Sequence, residues 1–372
     1  MDNNSINRPS FSVIADMLRF PLIYLVVVIH MTPLYYPRVS LDFTEGNMLY
    51  VFITELISHN FGAVAVPCYF FISGYYFFNV FKGLDKLNFS IYKSVLSKKI
   101  RTVFFPYFFW NTMLIFAFWI KNRIFIQWGK EVDYGFLYLK ETNFFDWYWK
   151  DPVNFPLWYM RDLIVMICIW PFFYYLFRYL KVYGIIPLLL LLVAFPDTGI
   201  PGLSSTAMAF FGMGAMFSYL RLDVLAFSKR YKWIFGFLTI VLLFCSTLLN
   251  GETLHPYILN IYALCAVWSL FNIFSKLSQN EYVKKYSLLY AEASFLVYVI
   301  HEIYIINWLK GFWVRVAGED LIVMKFLGYF LIPVVCTILC VVIFKVWKKI
   351  SPNSLAFVTG GRIGSHGRNR NE

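Results

Sequence analysis

The stretch 11-FSVIADMLRFPLIYLVVVIH-30 decides the fold class. It has the length and apolar character of a helix that crosses a bilayer. It also carries two side chains that lipid does not tolerate cheaply, Arg19 and His30. On an α-helix their spacing leaves a rotation of about 20° and a rise of about 16 Å, so both project from one face. Ionisable groups in a spanning helix face a protein interior or a wet cavity and mark function by default. A guanidinium can hold an anion, and a neutral imidazole can take a proton. The pair therefore predicts a catalytic cavity rather than an anchor. Asp16, three residues before Arg19, offers a neutralising partner on the same face, although two buried charges are costly to keep for structure alone. The run has no convincing small-residue cleavage site, so it is expected to be a retained helix, not a signal peptide.

Outward from this run the pattern repeats. Ten apolar stretches are read as spans: Phe11–His30, Phe61–Phe78, Ile100–Ile120, Leu157–Leu176, Val182–Phe195, Leu203–Leu220, Trp233–Leu249, Tyr257–Ile273, Leu288–Trp308 and Leu321–Val346. The fifth is short and interrupted by Pro187. The chain of 372 residues is 60% hydrophobic and only 15% charged, which excludes an ordinary soluble domain. The expected fold is all-α, a polytopic membrane protein with about ten transmembrane helices. Residues 1–350 form one transmembrane domain, and 351–372 form a polar, basic tail.

The formal charge of +12 raises the question of nucleic acid, but the positive-inside bias explains it. With the N-terminus cytoplasmic, 22 of the 33 Lys and Arg fall on inner segments and nine on outer ones, Arg19 and Arg161 lying within helices. Both termini are expected inside, with no nucleic-acid partner. The six cysteines lie in apolar runs without metal-ligand or disulfide spacing, so they read as small core residues, and no metal is expected. The longest non-membrane stretch, Lys121–Pro156, is rich in aromatics. It reads as an interfacial belt, or as a lid on which sugar rings stack.

Four further places carry possible chemistry. Lys98-Lys99-Ile100-Arg101 leads into the third run: a topology anchor, or a docking point for phosphates. Trp158-Tyr159-Met160-Arg161-Asp162 opens the fourth; neighbours on a helix do not face each other, so Arg161 and Asp162 are expected to need separate partners. Ser73-Gly74 reads as close helix packing rather than a nucleophile, because no G-x-S-x-G elbow is present. Tyr298, His301 and Glu302 lie in the ninth run at a depth similar to His30, where they could share a site with it.

Taken together these motifs resemble the integral-membrane acyltransferase-3 family. The likeness begins at Asp16-Met17-Leu18-Arg19 and runs through the Arg-x10-His spacing to His30. It continues through Phe71-Ile72-Ser73-Gly74, the basic cluster with Pro106-Tyr107, and Leu157-Trp158-Tyr159, and ends at Phe295-Leu296-Val297-Tyr298-Val299-Ile300-His301. The resemblance implies a multi-pass inner (plasma) membrane O-acyltransferase, in which Arg19 and His30 take the places of the family's essential pair. The donor would be cytoplasmic acyl-CoA, acetyl-CoA being the expected one, with no resident cofactor. The acceptor would be a hydroxyl of an extracytoplasmic or lipid-linked glycan. On this reading His30 is the general base, Arg101 and Lys98 meet the donor's phosphates, and Trp158, Tyr159, Arg161, His301 and Glu302 serve the acceptor. Lys98 departs from the family's common Arg-x-x-Arg pair, which weakens the phosphate role. In a chain of 372 residues the esterase-like domain some members carry is not expected, and a second transfer step would then need a separate envelope glycan-assembly partner. The rival reading is a transporter or glycan flippase without acyl transfer, against which the absence of an internal repeat and the motif order both argue.

Overall fold

A computed structural model describes residues 10–32, 41, 47–81, 86–129, 143–318 and 321–362. Among these every regular element is helical. The central part of the aromatic segment, residues 130–142, lies outside the described residues, as do 363–372 of the tail.

The helices that position the site are few. Helix α1 is Phe11–Ile29, α2 is Met48–Phe81 and α3 is Phe89–Gln127. The fourth run is cut at Ile169 into α4, Trp158–Cys168, and α5, which runs Trp170–Ala194 and absorbs the weak fifth run. Then follow α6, Ser205–Tyr219, and α7, Val224–Arg230, bent by 111° from it. Next come α8, Lys232–Leu248, and α9, His255–Leu277. The ninth run is broken into α10 (Glu281–Ala291), α11 (Ser294–Ile300) and α12 (Ile306–Ala317). Helix α13 is Ile322–Ile350, and a short α14, Pro352–Val358, turns back from it. Six helices among the described residues are long and apolar enough to cross a membrane, or seven if α6 and α7 are one bent span. The ten apolar runs therefore do not map one to one onto ten long helices. The fourth run breaks at Ile169, just before Pro171 opens the next helix, and the ninth is broken in part by the wide turn His301–Ile305, where the site forms.

Helix α1 lies at the centre. Pro21 removes one of its backbone hydrogen bonds, a loss that membrane helices tolerate when neighbours compensate. The tightest helix contact is between α2 and α6. A Cβ on Gly74 would stand 2.1 Å from the Phe211 carbonyl oxygen, and one on Gly214 would stand 2.0 Å from that of Phe71. Only glycine lets the two backbones approach this closely, which is how small residues bring helices together in lipid. Around the crossing, Phe71 packs against Phe11, Phe217, Trp268 and Phe271 with ring centroids 5.0–6.1 Å apart. This aromatic core fixes α1, α2, α6 and α9 relative to one another. The first part of the basic tail is built into the fold: Leu355 and Val358 of α14 are buried, and Trp110 Nε1 of α3 donates to the Val358 carbonyl at 3.0 Å.

Candidate functional site

A cavity of about 940 Å³ runs beside α1. Ser12, Asp16, Arg19, Ile23, Val26 and His30 all line it, a periodicity of three to four that places one face of the helix on the cavity. From Ser12 to His30 the helix rises about 27 Å, so the cavity follows nearly the thickness of a hydrocarbon core. The shared face expected for Arg19 and His30 is present.

At one end stands a cluster of two imidazoles and a carboxylate. His30 caps α1, and its Nδ1 lies 3.6 Å from Glu302 Oε2. Its ring centre is 5.1 Å from that of His301. A wide turn, His301–Ile305, interrupts the ninth run here, and such π-type turns recur at functional sites. His301 is fully buried, and its Nδ1 lies 2.9 Å from the carbonyls of Val297 and Tyr298. Those acceptors require the proton on Nδ1, which leaves Nε2 an acceptor. His301 Nε2 and Glu302 Oε2 are both buried without a hydrogen-bond partner among the described residues. Lys310 donates to the His30 carbonyl. Burial pulls the Lys310 ammonium below its ordinary range, and the Glu302 carboxylate opposes that shift. Donor atoms of His30, His301 and Glu302 lie within 4.8 Å of one another, a set that has the chemistry to hold a divalent cation.

Toward the other end the cavity becomes basic. Arg19 Nη2 pairs with Asp16 Oδ1 at 3.1 Å, yet the arginine side chain remains 41% exposed to the cavity while Asp16 is buried. The ion pair thus orients Arg19 without consuming it. Tyr69 donates to the Arg19 carbonyl at 2.6 Å, and Ser73 Oγ meets the Tyr159 hydroxyl at 3.0 Å. Ser73, expected to be a packing residue, therefore also presents a hydroxyl to the cavity. Lys99, Thr102 and Arg362 complete this end. Burial lowers the Arg362 guanidinium to about 10, Tyr159 opposing and Arg19 reinforcing the shift, so it stays charged at neutral pH.

Not every residue singled out in the sequence reaches the cavity. Trp158, Tyr159, Arg19 and His30 line it, and His301 and Glu302 stand directly behind His30. Lys98 and Arg101 do not line it; both are exposed. They sit three apart on the outward face of α3, while Lys99, Thr102 and Val103 share the inward one. Arg161 is not a cavity residue either. The expectation that Arg161 and Asp162 need separate partners is corrected: Arg161 Nε donates to Asp162 Oδ1 at 3.0 Å, because its long side chain folds back along the helix start. Arg161 also donates to the Trp149 and Lys150 carbonyls at 2.9 and 2.7 Å, tying the aromatic segment to α4.

Sequence reading placed Lys99 in the basic cluster but gave the phosphate role to its neighbours Lys98 and Arg101, and it missed Lys310 and Arg362, which carry no motif. It also missed a buried network in a second wide turn, Glu55–Phe61. There Glu55 accepts from His59 Nδ1 at 2.8 Å and from Asn250 Nδ2 at 3.1 Å. His59 Nε2 faces Thr32 Oγ1 at 3.1 Å, bracing the chain just past His30. The signal was the Glu-x-x-x-His spacing, which puts both on one helical face.

The acyltransferase-3 family model, described as an acyltransferase domain, matches residues 13–345. No curated protein and no solved structure matches the chain.

Proposed function

Because the chain belongs to the acyltransferase-3 family of membrane acyltransferases, we propose that it moves an acyl group, acetyl foremost, from acyl-CoA to a hydroxyl of a glycan or lipid-linked sugar. The observation that carries this reading is the single cavity that joins the basic end at Arg19, Lys99 and Arg362 to the imidazole of His30. A cavity with cations at one end and a base at the other suits a donor with phosphates at its tail and a thioester at its tip.

In this reading the termini are cytoplasmic, the cavity spans the inner (plasma) membrane, and the donor enters at the Arg362 end. The thioester carbonyl approaches His30. His30 Nδ1–H is turned toward Glu302, which leaves Nε2 to take the proton from the acceptor hydroxyl as the oxygen attacks the carbonyl carbon. The tetrahedral intermediate collapses, the carbon–sulfur bond breaks, and the thiolate leaves with the proton returned by the imidazolium. A thiolate is a good leaving group because thiol pKa values lie near 8.5. Glu302 holds the tautomer and stabilises the imidazolium while it lasts. Trp158, which lines the cavity, offers an aromatic face to a sugar.

The test is transfer of radiolabel from acetyl-CoA to isolated envelope glycan in membrane vesicles. Incorporation by wild type, lost with His30→Ala at equal protein level, is the expected result. Movement of glycan across the vesicle membrane with no incorporated label would support the transporter reading instead.

A further inference from the structure

The last described residues place a positive charge inside the cavity, and nothing among the described residues neutralises it. Thr359 to Gly361 form a turn after α14, in which Gly360 and Gly361 take φ values of +68° and +77°. Side chains rarely adopt that region, and at Gly360 a Cβ would come within 2.7 Å of the Thr102 carbonyl oxygen. The turn presses the backbone onto α3 and delivers Arg362 to the cavity. The guanidinium lies over the Phe295 ring at 4.0 Å, and Nη1 donates to the Thr359 carbonyl at 2.6 Å. These contacts fix its plane and leave most of its five N–H groups uncommitted.

The cavity's charges can be paired off. Asp16 takes Arg19 at 3.1 Å, and Glu292 takes Lys348 at 2.5 Å. Lys99 and Arg362 remain, and the charge of Arg362 acts on Lys99. Two like charges held close in an apolar-walled cavity attract an anion strongly. A planar guanidinium fits a phosphate bidentately, with a lysine as the companion point charge.

We propose that Lys99 and Arg362 form a phosphate-binding site, in which the C-terminal glycine turn presents Arg362 to a phosphate of a nucleotide-bearing acyl donor. The assignment rests on reading the cavity as the donor's channel. It moves the phosphate role from Lys98 and Arg101 to the neighbouring inward face and to the tail. A nucleotide is favoured over a lipid headgroup because the site lies inside the cavity beside α1 rather than on the outer perimeter of the bundle.

The test uses the full-length protein in detergent, with adenosine 3′,5′-bisphosphate and inorganic pyrophosphate as probes and the thermal unfolding midpoint as readout. Wild type should be stabilised in a saturable way. Arg362→Gln and, independently, Lys99→Gln should each raise the half-saturating concentration about 10- to 100-fold, the range for losing one charge-assisted hydrogen bond. Arg362→Lys should recover part of the loss. Lys99→Gln leaves the glycine turn untouched, so a folding defect in the tail variant does not decide the matter. Unchanged half-saturation in both Gln variants, or no stabilisation of wild type by either probe, overturns the site. Arg362-dependent stabilisation by phosphatidylglycerol micelles alone would reassign it to a lipid headgroup. The measurement needs no turnover, so bisphosphate binding without label transfer would sink the acyl-transfer reading and keep the site, and the converse separates them equally.

Discussion

Nδ1 of His30, at the end of the first helix, stands 3.6 Å from Oε2 of Glu302, in the wide turn of the ninth apolar run. The gap is slightly too long for a hydrogen bond, and catalytic contacts often tighten only when substrate is bound. If Glu302 orients His30, Glu302→Gln should lower turnover about 100-fold or more while leaving donor affinity unchanged. His30→Gln should lose about 10²–10⁴-fold, since an amide accepts no proton. A base works only when unprotonated, so the wild-type rate should rise with pH to a plateau. Label transfer across pH is the measurement. Near-normal turnover in His30→Gln would falsify the assignment and move the base to His301 or Glu302.

The same trio could instead hold a cation, and the two uses exclude each other. A ligated imidazole has no lone pair left for a proton. As a base, His30 should keep its activity through dialysis against a strong chelator, and added zinc should inhibit by occupying the three donors. Activity lost on chelation and restored by zinc would make the centre a metal site. Elemental analysis of the purified protein is the companion measurement.

Much of this site was legible before the structure. The Arg19–His30 register required only helical geometry, and the cavity lining along α1 follows it residue for residue. Lys98 and Arg101 were harder. Three basic residues in four positions all attract the same electrostatic reading, and only the rotation of α3 decides that Lys99 faces in while its neighbours face out. Arg362 had no sequence signal at all. It lies in a polar tail whose composition resembles a loose one, and its place depends on a tertiary contact between α14 and α3. The apolar runs told of membrane helices but not where they break. Nothing in hydropathy marks Ile169 as a break or His301–Ile305 as a wide turn.

The proposed topology rests on the charge bias and is open to a direct check. With both termini cytoplasmic, Lys150→Cys should react with a membrane-impermeant maleimide in intact cells. Glu281→Cys should react only after permeabilisation. Both positions are exposed. The native cysteines are buried or half-buried, which keeps the background low. The reverse labelling pattern would invert the proposed path of the donor.

The glycine crossing of α2 and α6 predicts a stability effect remote from chemistry. Gly74→Ala or Gly214→Ala pushes a methyl group against a carbonyl oxygen at about 2 Å, so the helices must part. Overpacking of this kind costs about 1–3 kcal/mol. Because Ser73 and Tyr159 line the cavity next to this crossing, turnover should fall as well. Unfolding midpoints in detergent that match wild type would show that the two helices part at no cost to stability.

Arg19 and Asp16 give the last prediction, because their ion pair separates two roles for the arginine. If Arg19 serves only to balance Asp16, a lysine at position 19 should do the same, since a charge is all that is required. If the exposed part of its guanidinium grips the donor, lysine fails, because it lacks the planar fork. The 41% exposure of Arg19 to the cavity, against the burial of Asp16, favours the second role. Arg19→Lys should therefore keep normal protein levels but raise the KM for acyl-CoA about tenfold or more, the loss of one charge-assisted hydrogen bond. Asp16→Asn should behave differently. It frees the guanidinium from its orienting partner and leaves it beside Arg362, so KM should rise while the double variant Asp16→Asn/Arg19→Lys costs less than the sum of the single changes, as expected for residues in contact. Steady-state kinetics on the four proteins closes the cycle. Full activity in Arg19→Lys would reduce Arg19 to a structural counter-charge and leave the grip on the donor to Lys99 and Arg362.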